Sequence, residues 1–334
     1  MIMKNVKEVI GIDVGKLTNE AHIHTSQISS EFDNTPAGLR KMLKWVLKNA
    51  GCTKQELLFA FEYTGLYSYP LSLFLTENKY SYIVIPGLEL KHSMGIARGK
   101  DDKIDAKRIA LYAYEKRERI EPYQMPKKEI IHIKRLLSLR EKLVKQRAGY
   151  VGTLGEYKHF LKKKNDKILF DIHEKMIKEL TKQIEKIEKE LNEIIKNDQQ
   201  LKQMYDLITS IKGVGPQTAL FVIAYTNGFT KFKTWRKFAT YCGIAPFPHK
   251  SGISIRGRTK VSSLANKKLK SLLDLCAKTS IQYNQEMKLY YEKRLQEGKA
   301  KMSTINIIRN KLISRIFAVV QRGTPYVDLV KYVN

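Results

Sequence analysis

A chain of 334 residues, 43% hydrophobic with 9 Pro and 19 Gly, is long enough for two or three domains with buried cores and too apolar for a disordered segment. No apolar run approaches the roughly 20 residues of a membrane span, and Met1-Ile2-Met3-Lys4 leads toward a strand rather than a signal-peptide core; the sequence reads as cytoplasmic, with no membrane partner. The formal charge of +28 is uneven: +3 over residues 1–126, +7 over 127–210 and +18 over 211–334, where 23 basic residues stand against 5 acidic ones. That excess, interleaved with Phe229, Phe232, Trp235 and Tyr241, predicts a nucleic-acid surface. Cys52, Cys242 and Cys276 are odd in number and far apart, which supports neither a disulfide framework nor a zinc site.

Residues 7–117 alternate in a way that predicts strands near 7–14, 19–25, 28–32, 56–62 and 80–85, with helices near 36–50, 66–78 and 102–117. Thr35-Pro36 supplies a capping hydroxyl and a proline in the first helical turn. Three adjacent strands followed by alternating helices and strands is the order of an RNase H-like domain, which we assign to 1–126. Residues 127–203 change to charge-rich sequence with heptad spacing. Ile177, Leu180, Ile184, Ile187, Leu191 and Ile194 form one seam over about three heptads, and Leu136, Leu139, Leu143, Tyr150, Leu154, Tyr157 and Leu161 a looser one. Lys162-Lys163-Lys164-Asn165-Asp166 parts them, so an antiparallel coiled-coil arm is expected, self-packed or shared between protomers.

The third region, 204–334, opens with Ile211-Lys212-Gly213-Val214-Gly215-Pro216, the form of a helix-hairpin-helix whose turn and second helix start can hold a phosphate. A purely structural interhelical turn would read the same way. A helix near 233–242 precedes Gly243-Ile244-Ala245-Pro246, and Ile253-Ser254-Ile255-Arg256-Gly257-Arg258 predicts a basic hairpin. Helices follow to about 322. The fold class is α/β plus α.

Four acids fall where one sheet edge of the first domain would gather them: Asp13 within Val9-Ile10-Gly11-Ile12-Asp13-Val14, Glu62 ending Leu57-Leu58-Phe59-Ala60-Phe61-Glu62, and Asp102 with Asp105 in the first turn of a helix. Carboxylates beside strand cores are costly unless a cation shares them, and Asp102 and Asp105, three apart, share a helix face. Hard oxygens suit Mg²⁺, and two ions about 4 Å apart would neutralise a scissile phosphate. Taken singly, each acid has a bland role as a strand end, turn cap or helix-start acid. Ser251, in a Ser-Gly turn beside Lys250, Arg256 and Arg258, is a turn residue or a nucleophile, and its neighbourhood leaves both open.

The motifs Gly11-Ile12-Asp13-Val14-Gly15-Lys16, Glu62-Tyr63-Thr64-Gly65, Asp102-Lys103-Ile104-Asp105-Ala106, Gly213-Val214-Gly215-Pro216, Gly243-Ile244-Ala245-Pro246 and Ser251-Gly252, in this order, resemble the DEDD transposases of bacterial insertion sequences. These are bridge-RNA-guided serine recombinases related to Piv-type DNA invertases. The resemblance implies a RuvC-like domain, a coiled-coil arm and a C-terminal transposase domain. It implies metal ligation by Asp13, Glu62, Asp102 and Asp105, with Ser251 as the nucleophile that becomes phosphoserine-linked to DNA. It also implies donor and target DNA, a noncoding guide RNA, a homo-oligomer (dimer or tetramer) joined through the arm, and a bacterial protein at the nucleoid when active. Expected nucleic-acid contacts are Lys212, Gly213, Gly215, Lys250, Arg256, Arg258, Lys260, Lys267 and Lys270. Two departures stand out: Asp101 where the family usually has Thr, and Ala265-Asn266-Lys267-Lys268-Leu269-Lys270 where it usually has Gly-Asn followed by Leu-Arg; lysine keeps the charge but not the bidentate geometry. The rival readings are a RuvC-type Holliday-junction nuclease using water, which has no need of Ser251, and a non-catalytic nucleic-acid-binding protein.

Overall fold

The computed structural model describes residues 5–93, 101–119, 121–251, 255–262 and 264–328; of 248–251, 255–256 and 258–260 it describes the backbone alone. The chain forms two compact units, Met1–Met125 and Pro126–Asn334.

The first unit is built on a five-stranded mixed sheet ordered β3-β2-β1-β4-β5, from β1 (Glu8–Val14), β2 (Thr18–Ile23), β3 (Ile28–Asp33), β4 (Leu57–Glu62) and β5 (Ser81–Ile85). β1, β2 and β3 run antiparallel, while β4 and β5 lie parallel to β1. Its helices are α1 (Pro36–Asn49), α2 (Tyr69–Glu77), α3 (Gly87–Ser93) and α4 (Asp102–Lys116). Alternation along the central strands sends Ile10, Ile12, Phe59 and Phe61 into one core with Leu39, Met42 and Leu71 from α1 and α2. Val9, Leu58, Ala60 and Ile83 enter a second core under Ile109, Tyr112 and Ala113 of α4. Burial on both faces is why β1 and β4 read as near-continuous apolar runs rather than alternating ones. Thr35 caps α1, its hydroxyl accepting from the Gly38 amide at 3.2 Å.

The boundaries differ from expectation at three places. α2 starts at Tyr69 because Gly65, at φ +68°, and Ser68 form a turn in which the Ser68 hydroxyl accepts from the Thr64 amide at 3.3 Å. β2 ends at Ile23 rather than residue 25. The seven-residue α3, with only Leu90 fully buried, was too short to announce itself by periodicity.

In the second unit α5 (Lys128–Phe160) and α6 (Lys167–Asn197) pack along each other. Arg140 to Glu188 at 2.6 Å and Arg147 to Thr181 at 3.3 Å give the pair an antiparallel register. On α6 the heptad residues Leu180, Ile184, Ile187 and Leu191 are buried, joined by Ile195. The α5 seam needs correction: Leu139 is 47% exposed, and the buried positions are Ile130, Ile133, Leu137 and Leu154. The buried face of α5 is set by the helices packed against it rather than by that seam. The inner ends of both helices share one core with α7 (Gln199–Thr209), α8 (Pro216–Thr226), α9 (Trp235–Tyr241), α10 (Lys267–Tyr283), α11 (Gln285–Gln296) and α12 (Lys301–Arg322). Between α9 and α10, β6 (Pro246–Ser251) and β7 (Ile255–Val261) form an antiparallel pair. Among the described residues no helix is long and apolar enough to cross a membrane.

Candidate active site

The parallel register pairs Ile12 with Phe61, so the next positions, Asp13 one residue before the end of β1 and Glu62 at the end of β4, stand on adjacent strands side by side. Both lie on the sheet face that carries α4, since Val9 and Gly11 share Asp13's face and Leu58 and Ala60 share that of Glu62. Helix α4 sits close because residue 11 is glycine: a Cβ there would stand 2.2 Å from the Ala106 carbonyl oxygen and 2.4 Å from the Ala110 nitrogen. Asp102 and Asp105 occupy the first turn of that helix, immediately before Ala106. Asp101 is its N-cap, the side chain accepting from the Lys103 amide at 3.2 Å. That local bond gives Asp101 a structural task.

Electrostatics report the convergence. The Asp13 carboxyl is pushed up to about 6, by its burial first and then by the charges of Asp102, Asp105 and Glu62. The Arg108 guanidinium meets Asp105 at 3.1 Å. The donor set is hard oxygen throughout and carries more negative charge than its described cationic partners neutralise. Among the described residues, no three acidic, histidine or cysteine side chains are close enough to hold an ion together. The four acids are thus gathered at one sheet edge without being drawn onto a single point.

Two neighbours escaped sequence reasoning. Gly87 opens α3 where a Cβ would stand 2.1 Å from the Glu62 carboxylate oxygen, so its lack of a side chain gives Glu62 its room; the Pro86-Gly87 pair at a strand end was the available signal. Glu20, the cross-strand partner of Asp13, is 5% exposed, and one of its carboxylate oxygens has no hydrogen-bond partner among the described residues. Burial pushes the Glu20 carboxyl above its ordinary pKa, while the charge of Lys103 opposes the rise.

In the second unit the glycine turn is occupied structurally. Gly213 takes φ +93° and abuts α10, where a Cβ would meet the Ser280 hydroxyl at 2.1 Å, and that hydroxyl donates to the Lys212 carbonyl at 3.0 Å. Lys212 pairs with Asp328 at 2.9 Å. Gly215 caps α8 with open space around it. Lys267 and Lys270 stand in the first turn of α10, which holds no acid, where cations oppose the helix dipole. Ser251 ends β6 opposite Ile255, and Lys250 opposes Arg256. The side chains of Ser251, Lys250, Arg256, Arg258 and Lys260 lie outside the described residues.

The chain matches the DEDD transposase family model of the IS110 type over residues 10–154 and the IS116/IS110/IS902 transposase family model over 205–292. It is 25% identical to the pilin gene-inverting protein of Moraxella bovis, over 96% of this chain and 98% of that one, and equally to the pilin gene-inverting protein of Moraxella lacunata. It is 30% identical to an insertion element IS110 uncharacterized 43.6 kDa protein of Streptomyces coelicolor, over 36% of this chain and 29% of that one. The first match covers the four acids and runs on into α5, the second covers the helices from α7 into α11, and the chain belongs to the IS110-type family of DEDD transposases, enzymes of DNA transposition and site-specific recombination.

Proposed function

We propose that this protein exchanges DNA strands by a serine-linked route, with an RNase H-like first unit holding Mg²⁺ on Asp13, Glu62, Asp102 and Asp105 and with Ser251 as nucleophile. The observation that carries the reading is the crowding of Asp13 by three other acids at one sheet edge, a charge excess that calls for a cation. When bound, Mg²⁺ would supply charge neutralisation at the scissile phosphate. Gly11 and Gly87 keep the acids in place, and Arg108 holds Asp105 until the site fills.

In the step itself the Ser251 oxygen bonds to phosphorus as the bond from phosphorus to one strand end breaks. The hydroxyl proton passes to a base, and the departing strand-end oxygen takes up a proton. Attack by the hydroxyl of a second strand then reverses the exchange and restores the serine, so no phosphodiester is lost. The similarity to pilin gene-inverting proteins supports strand exchange over hydrolysis by water. The motif resemblance supports a noncoding guide RNA that selects donor and target DNA. The basic helix start at Lys267 and Lys270 supports phosphate contact in the second unit. The arm would join protomers: Phe160, Ile168 and Ile172, at its far end, are 79%, 69% and 51% exposed.

The test is the adduct. Stalled reactions should hold protein bound covalently to a DNA end, resistant to SDS and sensitive to protease, and Ser251→Ala should lose both adduct and recombination. Peptide mapping of the adduct decides between Ser251 and Ser254, Ser262 or Ser263, and an adduct on another serine moves the role. Full cleavage by Ser251→Ala, with no adduct in the wild type, would replace this reading with junction cleavage by water.

A further inference from the structure

A row of aromatic rings runs through the second unit. Phe221 and Tyr225, one turn apart on α8, lie 5.9 Å apart and 5° from parallel. Tyr225 is 6.5 Å from Tyr241 of α9, and Tyr241 is 5.3 Å from Phe232. Three ammonium groups from separate segments stand over this row. Lys134 of α5 is 5.4 Å from the Tyr225 ring. Lys231, in the segment before α9, is 5.1 Å from Tyr241 and 5.5 Å from Phe232. Lys268 of α10 is 5.6 Å from Phe221.

The charges are not balanced. Lys268 has Glu141 at 3.5 Å, but neither Lys134 nor Lys231 has a carboxylate within ion-pair distance among the described residues. The half-buried Lys134 amine is drawn below its ordinary range by burial first and then by the charge of Lys231, which stands exposed. Ring faces attract ammonium groups without cancelling the repulsion between them. Holding Lys134 and Lys231 near each other with no carboxylate at ion-pair distance among the described residues works against the free protein and suits one that meets an anion. Tyr225, Phe232 and Tyr241 are half-buried beside these amines.

We propose that Lys134, Lys231 and Lys268 hold successive phosphates of a nucleic-acid strand whose sugars and bases lie along Tyr225, Phe232 and Tyr241. The site combines a cationic track with aromatic surfaces, the pairing used to bind single strands without reading sequence. It joins the root of the arm to the C-terminal helices and uses residues outside the acids and outside the basic hairpin. It rests on the reading of this chain as a nucleic-acid recombinase.

The experiment compares the full chain with Lys134→Gln, Lys231→Gln and the double variant, with Lys48→Gln on α1 as control. Binding is followed by anisotropy, without divalent metal, on three labelled probes of about 20 nucleotides: oligo-dT, oligo-U and duplex DNA. The double variant should bind single strands roughly tenfold more weakly at about 0.1 M salt, and its log–log salt slope should shrink by about 1.4, near 0.7 for each phosphate no longer neutralised. Lys134→Arg should keep the wild-type slope. Melting without nucleic acid should show the double variant no less stable than wild type, since repulsion has been relieved. Loss confined to oligo-U identifies the strand as RNA, and loss confined to oligo-dT as DNA. A wild-type slope on all three probes, loss on the duplex alone, or a lowered melting point with an unchanged slope would overturn the assignment. The outcome is separable from that for Ser251, because adduct formation reads the chemistry and the salt slope reads the hold on phosphate.

Discussion

Adding one methyl group at Gly11 tests whether the close seat of α4 on β1 is what brings the acids together. The Cβ of Gly11→Ala would lie 2.2 Å from the Ala106 oxygen, 2.4 Å from the Ala110 nitrogen and 2.7 Å from the Ala110 Cβ, where ordinary contact begins at 3.4 Å. The gap must therefore open by about 1.2 Å, and both walls are backbone, so a side-chain rotation cannot absorb it. Overpacking of this kind costs about 1–3 kcal/mol, and a site on rigid elements should fall at the upper end. Asp102 and Asp105 ride on the displaced turn, and a shift of about 1 Å at a catalytic group lowers rates by roughly 100-fold. Urea unfolding and single-turnover cleavage measure the two effects, with DNA affinity as the control that should not move. Gly152→Ala, on α5 with nothing near its Cβ, provides the opposite sign: a gain of about 0.5–1 kcal/mol from the removal of a helix-interior glycine. Wild-type stability and cleavage in Gly11→Ala would refute the proposed seat of α4.

Asp13 yields a pH prediction. Its pKa in the fold is raised from 3.8 to about 6, so the stability it contributes is present below pH 4 and lost as pH rises through 6. Asp13→Asn should accordingly melt higher than wild type at pH 8 in EDTA, melt the same below pH 4, and show less stabilisation by Mg²⁺; equal melting at pH 8 would remove the crowding argument. Asp102→Asn should abolish strand cleavage while nucleic-acid affinity, measured by anisotropy, stays within about twofold, because the acids lie in the least basic part of the chain. Gly87→Ala should displace Glu62 and reduce cleavage with little change in DNA affinity, checked in the same two assays. Leu191→Asp places a charge at a fully buried seam position shared by α5 and α6 and should cost about 3–5 kcal/mol, read as lost helicity and a lowered urea midpoint.

Much was legible in the one-dimensional text because its cause is local. The apolar runs Val9-Ile10-Gly11-Ile12 and Leu57-Leu58-Phe59-Ala60, the Thr35-Pro36 helix start and the heptads of α6 each follow from a short stretch of chain. So does the placement of Asp13 and Glu62 on neighbouring strands and of Asp102 and Asp105 in a first helical turn, which the runs that hold them decide. The charge gradient toward the C-terminus required only counting.

What the sequence left open depends on partners distant in the chain. Which apolar stripe of α5 is buried was decided by α6 and the C-terminal helices, exposing Leu139 and burying Leu137. Lys212, a phosphate contact by its place in the glycine turn, meets Asp328 across 116 positions. Gly11 and Gly87 became part of the site only once Ala106 and Glu62 stood against them. The lysines over Tyr225 and Tyr241 come from segments with no shared motif. Periodicity and capping act through neighbours in sequence and are written there, whereas close approach and charge crowding act through space and exist only after the chain has folded.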